Sequence, residues 1–113
     1  MRIIDSATLG ASQTVTIGAG GTVPGGNGGT SSFGTLASAT GGTGGGSNNT
    51  STIGVGGIGS NGTINFRGGS CVNANPSPGG TSFFGEFTYG AGGLGASTGT
   101  AGTIGIIFVE EFF

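Results

Sequence analysis

The sequence predicts an all-β domain, on three observations. Glycine supplies 31 of the 113 residues, without the three-residue period of collagen, and it interrupts every window long enough to hold a helix. Short β-branched and aromatic runs recur between the glycine blocks. The densest of these is Ile104-Gly105-Ile106-Ile107-Phe108-Val109-Glu110-Glu111-Phe112-Phe113. Read as a strand, it carries Ile104, Ile106 and Phe108 on one face and Ile107, Val109 and Phe113 on the other. A strand apolar on both faces is usually covered on both. Ile104, Ile106, Ile107, Phe108 and Val109 are therefore the expected core, or the seam between copies.

Taken in order, residues 1–9 mix apolar and polar side chains, with room for a short strand around Arg2–Ile4. Gln13-Thr14-Val15-Thr16-Ile17 alternates and reads as a strand closed by Gly18. A glycine loop with Pro24 follows over 18–29. Residues 30–40 read as a second extended stretch, with Phe33, Leu36 and Ala39 as its apolar content. Residues 41–51 are glycine and then Ser47-Asn48-Asn49-Thr50, a surface loop. Thr63-Ile64-Asn65-Phe66-Arg67 reads as a third strand. Pro76 and Pro78 exclude a central strand from 71–78. Phe83-Phe84-Gly85-Glu86-Phe87-Thr88-Tyr89 reads as a fourth, and the C-terminal strand closes a single domain over 1–113.

Two internal echoes accompany this order. Gly28-Gly29-Thr30-Ser31-Ser32-Phe33-Gly34 returns as Gly79-Gly80-Thr81-Ser82-Phe83-Phe84-Gly85, which reads as a reused glycine turn feeding a strand with an inward phenylalanine. Gly-x-Gly-Gly recurs at Gly18, Gly54 and Gly90. Where a chain is nearly all glycine yet ordered, one physical solution is polyglycine II, with three residues per turn and no internal hydrogen bonds. Without side chains on their shared faces, such helices approach closely and bond to each other. The stretches 18–29, 41–46 and 90–102 are the candidates. So few large apolar side chains must order so many glycines that other copies of the chain are expected to complete the core, a trimer first among the possibilities.

The charged inventory is Arg2 and Arg67 against Asp5, Glu86, Glu110 and Glu111, with no histidine. Lysine is absent too, so neither a Ser-His pair nor a Schiff-base amine can form. Glu110 and Glu111 are adjacent on the expected strand and point to opposite faces, so they cannot flank one bond. The serines following glycines lack the Gly-x-Ser-x-Gly elbow. Gly-x-Gly-x-x-Gly spacings start at Gly54, Gly57 and Gly90, but none opens a helix and no Gly-Lys-Ser/Thr follows. The expectation is a protein that is not an enzyme and uses no cofactor or metal. Two arginines and a negative balance argue against nucleic acid. No apolar run reaches the length of a membrane span. Met1-Arg2-Ile3-Ile4 runs into Asp5 without the apolar stretch of a secretory signal, so synthesis in the cytoplasm is expected. Cys71 stands alone and forms no intramolecular disulfide. The polar loops then remain as functional surface: Asn48 and Asn49 in one, Asn73 and Asn75 beside the prolines in another, able to present amides to a glycan or a protein.

Several blocks together resemble a known family. Thr14-Val15-Thr16-Ile17-Gly18-Ala19-Gly20-Gly21, then Gly26–Gly34 (Gly-Asn-Gly-Gly-Thr-Ser-Ser-Phe-Gly), then Leu36-Ala37-Ser38-Ala39-Thr40-Gly41-Gly42, resemble the glycine-rich domain of bacteriophage tail proteins. Gly59-Ser60-Asn61-Gly62-Thr63-Ile64-Asn65-Phe66 and the Val109-Glu110-Glu111-Phe112 ending fit the same pattern. The resemblance covers most of the chain from about Leu9. It implies a small antiparallel β-sandwich, jelly-roll-like, with glycine-rich and partly polyglycine-II loops. It also implies display on the virion at a tail fibre or tail tip, often in host attachment. The chain departs from the pattern at its start, where only residues 1–9 stand in place of an additional strand pair, and this again favours subunits that complete one another. The expected function is thus a non-enzymatic virion structural protein, with other virion proteins and a host glycan or protein as partners. A capsid decoration or cement protein is the alternative, and a glycine-rich extracellular filament or ice-binding protein the third class.

Overall fold

A computed structural model of the chain describes residues 1–46, 53–71, 79–81, 90–95 and 99–110. The regular elements are short: α1 (Ser6–Leu9), β1 (Val15–Thr16), β2 (Ser31–Phe33), β3 (Ala37–Ala39) and β4 (Gly59–Ser60). The strands form one antiparallel sheet in the order β1-β2-β3-β4. The class is therefore all-β. A second sheet facing this one, as a sandwich requires, is not found among the described residues.

Local chemistry accounts for these elements. The alternation of 13–17 yields β1, with Val15 opposite Phe33. The expected single stretch over 30–40 is instead a hairpin, with Phe33 opposite Ala37 across the loop Gly34-Thr35-Leu36. Gly34 makes that reversal possible, since its φ of +51° lies where a Cβ is strained. At 63–67 no strand forms; Arg67 makes a single bridge to Ile58. Residues 1–4 are not a strand in the sheet either. They lie against the loop after β4, where the Met1 amine donates to the Ile64 carbonyl at 2.7 Å and Ile64 N–H returns the bond to Met1 at 3.1 Å. The Arg2 guanidinium donates to the Asn61 carbonyl at 2.7 Å. The single turn α1, with Thr8 and Leu9 N–H both donating to the Asp5 carbonyl, is the only helix among the described residues.

Most of the remaining described chain forms a bundle of extended glycine-rich segments: g1 (18–21), g2 (26–30), g3 (40–46), g4 (53–58), g5 (67–71), g6 (79–81), g7 (90–95) and g8 (99–105). Their lateral bonds advance by three residues. Gly42 and Gly45 N–H donate to Gly90 and Gly93 carbonyls at 3.2 and 3.1 Å. Thr40 and Thr43 donate to Ile58 and Val55 at 3.0 and 2.8 Å, Gly68 and Cys71 to Gly57 and Gly54 at 2.9 and 3.0 Å, and Gly102 and Gly105 to Gly21 and Gly18 at 2.9 Å each. A β ladder bonds one neighbour at every second residue. A step of three is the register that polyglycine II requires, because each turn of three residues aims its N–H groups at different neighbours. The same step of three recurs in g1, g3, g4, g5, g7 and g8. Segment g3 is the most connected, exchanging backbone bonds with g2, g4, g6 and g7.

Glycine is what permits this spacing. A Cβ added at Gly44 would overlap the Gly25 carbonyl, one at Gly80 the backbone of Val55, and one at Gly92 the Thr43 carbonyl. The buried interior is accordingly backbone. Ala91, 1% exposed, is the only buried hydrophobic residue among those described, and Ser31 the only buried polar one. The other buried positions are glycines, among them Gly18, Gly21, Gly42, Gly45, Gly54 and Gly93. Dispersion and hydrogen bonding between main chains thus replace the usual packing of side chains.

The segments alternate in direction. Running along the sequence, g1, g3, g5 and g7 descend while g2, g4, g6 and g8 ascend, as the antiparallel bonds between g3 and g4, g4 and g5, and g7 and g8, and the parallel pair g3–g7, require. Strands β1 to β4 continue g1 to g4 at one end, so the sheet is an extension of the bundle. The molecule is elongated, with principal extents of 52 × 20 × 18 Å.

Candidate functional site

The alternation gives the rod two chemically different ends. At the end away from the sheet, the chain reverses between g1 and g2 through Thr22–Gly25, where Gly26 N–H donates to the Thr22 carbonyl at 2.7 Å. The described residues bordering 47–52, 72–78 and 96–98 gather at this same end. A Cβ on Gly25 would sit 3.1 Å from the Gly95 Cα, and one on Gly95 would overlap the Gly46 carbonyl. Cys71, half-buried, bonds through its N–H to the Gly54 carbonyl at 3.0 Å and through its Sγ to the Gly79 carbonyl. Asn48, Asn49, Asn73 and Asn75 themselves lie outside the described residues, as does the expected strand over 83–89. What the structure supplies is the common end from which their two stretches depart.

The sheet end is apolar. Among the described residues, Met1, Ile3, Val15, Ile17, Ile58, Ile64, Ile104, Phe108 and Val109 are exposed there, whereas Val23 and Ile53 are the exposed large hydrophobics of the loop end. The expected C-terminal core strand is not a core within one chain. Residues 102–110 carry no strand pairing; Phe108 is 83% exposed, Ile104 and Val109 more than half exposed, and Ile106 and Ile107 half-buried. Glycine explains the outcome: among the described residues the bundle closes on backbone, and Ala91 is the only buried hydrophobic side chain. Between the tail, residues 1–4 and the sheet lies a groove of about 1190 Å³.

Side chains that the sequence reading passed over hold the bundle together. Thr43 donates its N–H to Val55, and its Oγ1 accepts from the Val55 N–H at 2.7 Å. Thr40 pairs with Ile58 in the same way, the hydroxyl accepting at 2.9 Å, and Thr103 pairs with Ala91, also at 2.9 Å. Each threonine restores the second bond that a three-residue step would leave unmade. Ser31 Oγ accepts from the buried Gly18 N–H at 2.9 Å, and Asn27 Oδ1 from Gly44 N–H at 3.0 Å. The available signal is threonine beside glycine within a glycine block. The echo of 28–34 at 79–85 is likewise better read from its first three residues, since Gly28-Gly29-Thr30 and Gly79-Gly80-Thr81 occupy the ascending segments g2 and g6 rather than turns. The three Gly-x-Gly-Gly elements fall in g1, g4 and g7.

No group of three or more metal-ligating side chains occurs among the described residues, and no helix in them is long and apolar enough to cross a membrane. No family model, curated protein or solved structure matches this chain.

Proposed function

We propose that the protein is a non-enzymatic structural component of a bacteriophage tail fibre or tail tip, made in the host cytoplasm, assembled as a homotrimer in the virion, and contributing to host attachment. The observation that carries this reading is the polarity of the rod. A stiff backbone bundle gathers at one end the described residues that border the stretches bearing Asn48, Asn49, Asn73 and Asn75, while apolar side chains collect at the other. Polar loops on a rigid support suit recognition of a surface glycan or protein, and an apolar end suits fixation to other virion proteins or other copies. The sandwich implied by the family resemblance fits here as an arrangement between chains, with neighbouring copies covering the open sheet. No role with nucleic acid or within a membrane is part of the proposal.

The test is competition. Purified protein should reduce adsorption of the particles that carry it, and Asn73→Ala with Asn75→Ala should abolish that effect while leaving the melting temperature unchanged. Labelling the chain in intact particles should mark the tail. Label on the shell, with adsorption unaffected, would instead establish the capsid decoration reading.

A further inference from the structure

The groove at the sheet end has a floor of small and half-buried side chains, Phe33 and Ala37 among them, and Phe108 on the tail that walls it. Its volume exceeds the roughly 300–1,000 Å³ typical of small-molecule pockets, so a length of polypeptide fits it better than a metabolite. The tail is such a length: residues 106–110 make no backbone hydrogen bond to the described residues, and at about 3.3 Å per residue they span roughly 16 Å. Charge adds direction. Arg2 stands on the groove and Glu110 ends the described tail. Met1, Ile3, Ile104, Phe108 and Val109 are each more than half exposed, together a surface on the order of 600 Å², most of the roughly 800 Å² per partner that a stable interface needs.

We infer that this groove is a homotypic interface in which the tail of a second copy of the chain lies across the sheet, Phe108 over Phe33 and Ala37, and Glu110 beside the partner's Arg2. The inference rests on the multi-copy reading above and specifies the surface that joins the copies. Extended tails can add to a sheet through main-chain bonds, with side chains setting specificity, and the two unsatisfied features of the single chain would then complete each other.

The experiment measures mass by light scattering across a dilution series of the full chain, for the unaltered protein and for Phe108→Asp, Arg2→Glu, Glu110→Arg and the double reversal. Because Phe108 is almost fully exposed in one chain, Phe108→Asp should keep the melting profile of the monomer. The expected result is an assembly weakened at least about tenfold by Phe108→Asp, weakened by each single charge reversal, and recovered in the double reversal. An assembly indifferent to all four variants overturns the groove assignment and leaves the multi-copy reading standing. A protein monomeric at every concentration overturns both, while the attachment role is judged separately by adsorption.

Discussion

Single residues in this protein act through the space they leave empty. Gly44 and Gly59 make the comparison, because both are glycines in extended chain. A methyl at Gly44 would overlap the Gly25 carbonyl, a backbone atom that cannot step aside, whereas a methyl at Gly59 would lie 3.3 Å from the Phe66 carbonyl. Overpacking of this kind costs about 1–3 kcal/mol and sometimes more. Gly44→Ala should therefore lower stability by about 3 kcal/mol or prevent folding, and Gly59→Ala should cost well under about 1 kcal/mol, both read from thermal melts. Thr43 acts by the opposite route, adding an acceptor. Thr43→Val keeps the shape and removes the Oγ1 that receives the Val55 N–H, a loss of about 1 kcal/mol. Thr43→Ser should recover most of it, which a purely steric role for the methyl would not allow.

At the scale of elements, the order of stability should follow lateral connection rather than apolar burial. Segment g3 is bonded by four neighbours, while 106–110 have no backbone partner among the described residues. Local opening free energies scale with such connections. Amide exchange should thus be slowest at Gly42, Thr43 and Gly45, intermediate in β1 and β2, and fast in dilute protein at Ile106, Ile107 and Phe108. Equal exchange in g3 and in the tail would contradict the bundle. Strand β1 was legible from the sequence because Val15, Thr16 and Ile17 alternate. The β2–β3 hairpin was not, because Gly34 sits among serine, threonine and alanine that mark no reversal. The expected strand at 63–67 failed for another reason. Ile64 and Phe66 supply β propensity, but the neighbouring position at Ile64 is taken by Met1, and propensity cannot name a partner.

For the whole molecule, an interior of main chain implies unusual thermodynamics. The positive heat-capacity change of unfolding comes from exposing apolar surface, while exposing polar surface lowers it. An ordinary chain of this length gives roughly 1.5 kcal/mol/K. Among the described residues the buried positions are glycine, Ala91 and Ser31, so the monomer should show less than about half that value by calorimetry, with a correspondingly flat stability curve. An ordinary value would mean that side chains, not backbone, form the core. The radius of gyration, 15.2 Å over Cα atoms, exceeds the roughly 13 Å of a compact domain of this size, as a rod with an open groove should.

The sequence alone determined the extended class of the chain, its lack of a histidine or lysine for catalysis, and the glycine blocks in which backbone can approach backbone. Those follow from residue type: glycine disfavours helix, and a missing functional group cannot be supplied by folding. Only the tertiary structure decided which segments are neighbours, that they alternate in direction, that the candidate loops leave from one end, and that the C-terminal apolar run lies on the outside. A glycine presents the same surface wherever it occurs, so pairing between glycine segments is set by backbone hydrogen bonds and by scattered threonine, serine and asparagine acceptors. Apolar side chains reveal a need for burial, but when the interior is already closed by main chain, they do not reveal where that need is met.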